Sequence, residues 1–130
     1  MSIRRIVPRT LTLAASLVLV ACNWLVGPVC TLSIEPALRV SFVDSMTARP
    51  IVTESKAVVV DGTYADTAIA DRSPDATIAI LAMERPGIYR VEAIADGYRT
   101  WVKDGVRVRE GECHVETVEI EALMQPLEGG

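Results

Sequence analysis

The sequence predicts an all-β protein, a single β-sandwich of about seven strands with Greek-key connections. From residue 30 onward, short apolar segments alternate with turn residues such as Gly, Pro and Asp. Within these segments apolar and polar residues alternate, which is typical of strands with one buried face. No segment has the longer apolar period of an amphipathic helix. These observations favour two sheets packed face to face.

The segment before the predicted sandwich has the order of a secretory signal. Three arginines are followed by an uncharged apolar segment, residues 11–21, and the small residue Ala21 precedes Cys22. This order predicts a signal peptide over residues 1–21, and the letters "LVAC" at its end resemble the lipobox of bacterial lipoproteins. We therefore expect cleavage before Cys22, acylation of the Cys22 thiol and a tether over residues 22–29.

The alternative is an uncleaved transmembrane helix over residues 11–29, which reaches the ~20 residues that a bilayer requires. Asn23 and Gly27 disfavour this helix. Pro28 disfavours it more strongly, because proline removes a backbone donor and lipid offers no replacement partner. The lipoprotein interpretation is therefore preferred.

Cleavage changes the charge balance of the chain. It removes three arginines and leaves ten Lys and Arg against seventeen Asp and Glu, a net charge of −7. This acidic excess disfavours nucleic acid and a polybasic membrane contact, so attachment to the membrane depends on the acyl chains. We expect a protein of the bacterial cell envelope, anchored by its lipid at the outer membrane or the outer face of the membrane. Asn23 rather than Asp after Cys22 disfavours retention at the inner membrane.

The other two cysteines form the predicted disulfide. Once Cys22 is acylated, Cys30 and Cys113 are the remaining thiols in an oxidising compartment, where structural disulfides form and persist. Such a bridge would join the first predicted strand to the beginning of the last one. The alternative is a nucleophilic thiol working with His114, but it needs a reduced thiolate, which this compartment disfavours.

The first half of the domain contains three predicted strands. Residues 30–35 and 38–44 each alternate and predict the first two strands. Residues 56–60 predict the third, which ends at the tight-turn pair Asp61-Gly62. Residues 66–75 show no alternation and predict a long loop.

The second half alternates more regularly. Its predicted strands are residues 76–83, 88–95, 98–102, 106–109 and 113–123. Turns separate them, including one at residues 103–105. The apolar residues at the two ends of the last strand fall on opposite faces of the strand, which a β-bulge near Thr117 would explain. The sandwich is thus expected over residues 30–124, followed by a flexible tail over residues 125–130.

The order of four segments resembles a known domain family. The segments are "LRVSFVDSMTARPI", "AVVVDGTY", "ERPGIYRVEAIADGYRTWV" and "GVRVREGECHVETVEIEAL". Over residues 37–122 the chain resembles the carboxypeptidase regulatory-like domains, β-sandwiches of the transthyretin (prealbumin) type, here within a small bacterial lipoprotein. The matching residues are Asp44, Thr47, Pro50, Gly87, Tyr89, Gly97 and Tyr98, and Ala48 stands in the place of the usual turn glycine.

The resemblance implies a fold more than an activity. Such domains are accessory modules beside peptidases or freestanding envelope proteins, and a fold alone does not assign chemistry. We expect a non-catalytic binding or structural module, monomeric and without a cofactor. It would present sheet edges or loop tips to a protein, peptide or glycan.

One candidate site is centred on His114, the single histidine. With Glu116 it forms a His-x-Glu pair on one face of a predicted strand, which could supply two metal ligands, whereas zinc sites usually need three or four. A Ser-His-Asp site would also have to use His114, but the sequence has no nucleophile-elbow motif. A small metal-dependent or hydrolytic enzyme centred on His114 is therefore the alternative function.

The second candidate site is aromatic. Tyr98 and Trp101 could form a platform for a sugar or peptide, because flat rings present large apolar faces with a polar edge. Residues three apart in a strand face opposite sides of the sheet, so at least one of the two rings should be buried. Core packing is the alternative role for both residues.

Overall fold

The computed structural model describes residues 27–129, and its β-sandwich lies in the unit Thr31–Gly130. The predicted signal peptide and the lipidation site Cys22 lie outside the described residues, as does the predicted tether before Gly27. Within residues 27–129 there is no helix with the length and hydropathy needed to cross a bilayer.

Residues 27–129 form eight strands in two four-stranded sheets, which confirms the predicted all-β sandwich, although about seven strands were expected. They are β1 (Pro36–Asp44), β2 (Ser55–Asp61), β3 (Tyr64–Ile69), β4 (Asp71–Arg72), β5 (Thr77–Met83), β6 (Gly87–Ala95), β7 (Trp101–Val108) and β8 (Val118–Met124). The first sheet has the order β4-β5-β1-β8 and the second β3-β2-β6-β7. β1 and β8 are parallel, and the other neighbouring pairs are antiparallel.

The core lies between the sheets and follows the predicted alternation. Val40 and Phe42 of β1 are fully buried, as are Tyr89, Val91 and Ala93 of β6. Successive side chains of a strand point to opposite faces of the sheet, so each strand turns one face to the core. The apolar side chains of the two inner faces pack against one another and stabilise the fold by burial.

The predicted first strand over residues 30–35 is wrong. Leu32 and Ile34 are exposed, and β1 begins at Pro36. The reason is the end of the partner strand. β5 ends at Met83, and the N–H of Glu84, which has φ 50°, donates to the Glu35 carbonyl at 2.9 Å as the last backbone bond to this segment among the described residues. An alternating segment forms a strand only where a neighbouring strand supplies hydrogen bonds to its backbone.

The predicted long loop over residues 66–75 is also wrong. β3 continues to Ile69 and pairs with β2, and the short β4 pairs with β5. β3 is an edge strand, and its half-buried Asp66 accepts a hydrogen bond from the Ala82 N–H at 2.8 Å. This polar side chain removed the apolar alternation by which the strand could have been predicted.

The predicted turn at residues 103–105 is a β-bulge inside the continuous strand β7. The register between β6 and β7 shifts between Tyr89 and Val91, and Gly105 has φ 68°. Glycine adopts this left-handed conformation without steric cost, which is why it marks a bulge as readily as a turn.

The last strand begins at Val118, so the predicted bulge near Thr117 is wrong. Residues 113–117 precede the strand, and Thr117 Oγ1 donates a hydrogen bond to the Pro36 carbonyl at 2.6 Å. The alternation of apolar residues changes at this point because residues 113–117 are not part of the sheet.

The side chain of Asp44 holds the turn after β1. Its Oδ1 accepts hydrogen bonds from the N–H groups of Met46 at 2.7 Å and Thr47 at 3.0 Å. The Ala48 N–H donates to the Asp44 carbonyl at 2.8 Å. Ala48 then has φ 56°, a left-handed conformation that costs a residue with a Cβ atom about 1–2 kcal/mol.

We expect Ala48→Gly to stabilise the fold by up to about 1 kcal/mol. Relief of the left-handed strain exceeds the entropy that glycine adds to the unfolded chain. Urea unfolding would show the gain as a higher midpoint. Ala65→Gly, at an exposed position of β3, is the matched control and should destabilise the protein by about 0.5–1 kcal/mol. Equal losses in both variants would contradict strain at Ala48.

Candidate functional site

The predicted disulfide is confirmed. Cys30 and Cys113 are disulfide-bonded, and both residues are exposed. Neither lies in a strand, so the bond joins the segment before β1 to the loop between β7 and β8. We call this end of the sandwich, where β7 ends and β8 begins, the disulfide end.

The ring of His114, next to Cys113, has a partner on each nitrogen. Nδ1 is 2.7 Å from Glu84 Oε1, and Nε2 is 3.2 Å from Thr31 Oγ1. Thr31 Oγ1 is in turn 2.7 Å from Ser33 Oγ. We call these four residues, Thr31, Ser33, Glu84 and His114, the His114 cluster.

The carboxylate beside His114 is thus Glu84, and the predicted pair with Glu116 is not formed on a strand face. Neither His114 nor Glu116 belongs to a strand, so the alternation that placed them on one side does not apply. Across residues 27–129 no group of three or more His, Cys, Asp and Glu side chains has an arrangement suited to a metal ion.

Glu84 is the centre of the His114 cluster. Beside the contact with His114, its carboxylate accepts hydrogen bonds from the N–H groups of Glu35 at 2.7 Å and Val115 at 3.4 Å. The N–H of Glu35, followed by the His114 ring and the N–H of Val115, lowers the pKa of Glu84 below its ordinary value. The side chain therefore ties the β5–β6 turn to the segment before β1 and to the β7–β8 loop.

The order of hydroxyl, imidazole and carboxylate in the His114 cluster is the one that activates a hydroxyl nucleophile. A cavity of about 90 Å³ adjoins it, and its lining includes Glu84, Glu110 and Glu112. Acyl transfer develops an oxyanion, which donors or positive charge stabilise and carboxylates oppose. The acidic lining of this cavity therefore opposes the charge that such a reaction develops.

A larger groove lies at the opposite end of the sandwich, where β7 begins and β8 ends. Its volume is about 340 Å³, and it is lined by Arg99, Thr100, Trp101, Val102, Leu123, Met124 and Gln125. We call it the Trp101 groove. Among the described residues that line it, Arg99 is the one charged residue, and Val102 and Leu123 are exposed apolar residues. The groove therefore combines a cation, an indole ring and apolar surface.

Both strands that border the Trp101 groove are edge strands. Among the described strands β7 pairs only with β6, and β8 pairs only with β1. Each strand therefore has an outer side on which its backbone N–H and C=O groups have no strand partner.

The chain after β8 pairs, through backbone hydrogen bonds, with the segment that leads into β7. The Leu127 N–H donates to the Gly97 carbonyl at 2.8 Å, and the Arg99 N–H donates to the Gln125 carbonyl at 2.9 Å. Residues 125–127, which were predicted to belong to the flexible tail, form this paired segment, which we call the strap. A second groove of about 320 Å³ adjoins the strap and shares Arg99 and Gln125 with the Trp101 groove.

The two residues of the predicted aromatic platform have different positions. Trp101 lines the Trp101 groove. Tyr98 packs partly buried against the core, and its hydroxyl donates to Asp44 Oδ2 at 2.8 Å. Tyr98 therefore fastens the β6–β7 connection to the turn after β1 and is not part of the groove lining.

The Tyr98 hydroxyl, followed by the N–H groups of Thr47 and Met46, lowers the pKa of Asp44 below its ordinary value of 3.8. A depressed carboxyl pKa contributes stability above the unfolded pKa, and this contribution is lost as the pH falls through the folded pKa, below about 4. We expect Tyr98→Phe to raise the Asp44 pKa and to reduce this acid-dependent loss. NMR titration of the Asp44 carboxyl carbon measures the shift. Tyr64→Phe is the control and should leave that titration unchanged.

Thr31, Glu84 and Arg99 were not predicted as site residues. Arg99 lies beside the aromatic pair, and an arginine next to exposed aromatic residues is a signal that could have included it. Glu84 lies 30 positions from His114 along the chain, so no local pattern joins them. Their contact depends on how β5 and the β7–β8 loop meet at the disulfide end.

No protein-family model matches the chain, and no curated protein matches it either. The resemblance to the carboxypeptidase regulatory-like domains therefore stays a prediction. The fold and the two sites define a class of molecule, a small two-sheet β-sandwich with the His114 cluster at the disulfide end and the Trp101 groove at the other end.

Proposed function

We propose that this protein is a lipid-anchored β-sandwich of the bacterial cell envelope that binds a partner, without catalysis, in the Trp101 groove. The observation that carries the proposal is the combination of an indole, an arginine and apolar side chains beside two open sheet edges. Tryptophan and arginine are the residues on which binding energy is most often concentrated. The resemblance to accessory domains agrees with a role without catalysis.

The positions of the two ends support an anchored orientation. If Cys22 carries the lipid, the chain from Cys22 to the disulfide at Cys30 spans at most about 29 Å. The disulfide end then stays near the membrane. The Trp101 groove lies at the other end of β7, about 23 Å away along the strand, and is therefore remote from the end at which the tether attaches.

The variant Cys22→Ser tests the anchor. We expect an uncut precursor that takes up no labelled palmitate, because the cysteine thiol is the group that is acylated. Gel mobility and radiolabel measure both effects in the same cells. A Cys30→Ser, Cys113→Ser double variant is the control and should label normally. Normal labelling of Cys22→Ser would overturn the anchor.

Site-specific photo-crosslinking in cells tests binding in the groove. We expect a discrete adduct when the photoreactive residue replaces Val102, which borders the groove, and its loss when Trp101→Ala is added. The same residue at Ile69, exposed on the edge strand β3, is the control and should give no adduct. Equal adducts at the two positions, or none at Val102, would contradict a partner in the groove.

The His114 cluster supports a second candidate function, hydrolysis of a small ester. The favouring observation is the contact of Thr31 Oγ1 with the His114 ring at 3.2 Å and of that ring with Glu84 at 2.7 Å. Thr31 Oγ1 would attack the ester carbonyl carbon, and His114 would take the hydroxyl proton and return it to the leaving alcohol. Water would then release the acyl group from Thr31.

Hydrolysis of p-nitrophenyl acetate separates the two candidates. We expect the wild type and Thr31→Val to show the same background rate, because the acidic lining opposes an oxyanion. Ser33→Ala is the matched control, since it removes a hydroxyl from the same cluster and leaves the one that contacts His114. A wild-type rate that falls to background in Thr31→Val and in His114→Gln, but not in Ser33→Ala, would favour the hydrolase.

A further inference from the structure

We infer that the Trp101 groove takes the free carboxyl terminus of an extended peptide, which adds to the open edge of β7 as a short antiparallel strand. This inference rests on the proposed function and names its ligand class. Three features support it, namely the open edge of β7, the strap that ends this edge, and the single cation of the groove.

The open edge of β7 can accept only a short strand. Its outer side has no strand partner among the described strands, so an extended peptide could pair with it through main-chain hydrogen bonds. The bulge at Gly105 breaks the regular spacing of these groups. The regular part of the edge next to the groove is therefore Trp101–Lys103.

The strap determines where an added strand must end. The Arg99 N–H is already bonded to the Gln125 carbonyl at 2.9 Å, so the edge before Trp101 is occupied. A strand antiparallel to β7 runs from the disulfide end towards the strap. Its carboxyl terminus would therefore stop beside the groove, whereas a strand passing through would collide with the strap.

The charge of the groove suits a terminal carboxylate. Within residues 27–129, Arg99 is the one charged residue of the lining, on a chain in which acidic residues outnumber basic ones by seventeen to thirteen. A guanidinium binds a carboxylate through two parallel N–H donors. Trp101 and Leu123 supply apolar surface for the last side chain of the peptide. The groove therefore matches an apolar residue that ends in a free carboxylate.

A peptide is favoured over an acidic sugar because a peptide has backbone groups that can pair with an open strand edge. A sugar acid would use Arg99 and the indole of Trp101, but it would leave the open edges of β7 and β8 without partners. A peptide strand uses the side chains and the edge together.

Tryptophan fluorescence of the full processed protein in detergent tests the inference. The chain has two tryptophans, so Trp24→Phe makes Trp101 the one reporter. The probe is the peptide acetyl-Val-Thr-Val-Thr-Leu with a free carboxyl terminus. We expect a saturable shift of the Trp101 emission, at least about tenfold weaker for the amidated peptide and for the protein variant Arg99→Gln, because each removes one charge of the ion pair. Arg107→Gln, near the other end of β7, is the matched control and should bind like the parent.

Further probes distinguish the possible ligands of the Trp101 groove. N-methylation of the central valine should also weaken binding about tenfold, since it removes a main-chain donor of the added strand. Equal binding of the amidated peptide, or of an amidated peptide with an internal Asp, would overturn the terminal carboxylate. A shift with glucuronic acid alone would replace the peptide by a sugar acid, and no response to the free-acid peptide would overturn the inference. In each of these cases, an adduct at Val102 in cells would still support the proposed function. The absence of that adduct would overturn both the proposed function and this inference.

Discussion

Loss of the Cys30–Cys113 bond should lower the free energy of unfolding by about 4–5 kcal/mol. The bond closes a loop of some eighty residues, and opening this loop returns entropy to the unfolded chain. For a domain of this size the loss corresponds to a fall in Tm of roughly 20–30 °C. The β-sheet circular dichroism should persist at low temperature, because both cysteines lie outside the eight strands.

Thermal unfolding with and without a reductant measures this effect. A Cys30→Ala, Cys113→Ala double variant should match the reduced protein, and the reductant should not change its Tm further. The double variant is thus the control for other effects of the reductant. Two free thiols in the non-reduced protein, found by mass spectrometry after alkylation, would contradict the bond itself.

Tyr89→Ala should cost about 3–5 kcal/mol of unfolding free energy. The ring is fully buried, and its removal leaves a cavity that the surrounding strands fill only in part. It also packs edge-to-face against Tyr64, with ring centroids 6.4 Å apart, and this contact is lost with it.

The hydroxyl of Tyr89 makes a smaller, separable contribution. It donates to the Arg85 carbonyl at 2.7 Å and accepts from Arg85 Nη1 at 3.0 Å, and that guanidinium also pairs with Asp61 and lies over the Tyr64 ring. We expect Tyr89→Phe to cost about 1–2 kcal/mol, because the Arg85 carbonyl loses its donor.

Urea unfolding of the Tyr89 variants together with Ile88→Ala measures both contributions. Ile88 lies on the outer face of the same strand and is half-exposed, so its truncation is the matched control and should cost much less than Tyr89→Ala. Similar losses for Tyr89→Phe and Tyr89→Ala would show that the hydroxyl rather than the ring dominates. Similar losses for Ile88→Ala and Tyr89→Ala would contradict the assignment of the core face.

Several residues of the predicted family pattern have structural roles at turns. Asp44 caps the turn after β1, Tyr89 holds the β5–β6 turn through Arg85, and Tyr98 joins Asp44 across the sandwich. These contacts give the three residues structural roles in this sandwich. They do not test membership of the carboxypeptidase regulatory-like domains, which stays a prediction.

The sequence predicted the strand faces of the sandwich where the alternation was strong. The alternation over residues 88–95 predicts that Tyr89, Val91 and Ala93 share one face of the strand, and all three are buried in the core. The disulfide could also be predicted, because only two thiols are left once Cys22 is assigned to the lipid. These features depend on the local alternation of apolar residues and on composition, and both can be read from a single sequence.

The predictions failed where a segment depends on a distant partner. Residues 30–35 alternate but pair with none of the described strands, and β3 has a partner although a half-buried Asp66 breaks its alternation. The turn predicted around Gly105 failed for the same reason. A left-handed glycine occurs in turns and in bulges, and the strand opposite decides which of the two forms.

The sequence by itself determined the all-β class, the faces of the most regular strands and the pairing of Cys30 with Cys113. Only the tertiary structure decided that Glu84 and Thr31 contact His114, that Tyr98 bonds Asp44, and that Arg99 joins Trp101 in a groove beside the strap. The physical reason is that a strand period of two residues specifies which side of a strand is buried. It does not specify which strands, turns and chain ends meet, because these contacts join residues far apart in the chain and depend on the packing of the two sheets.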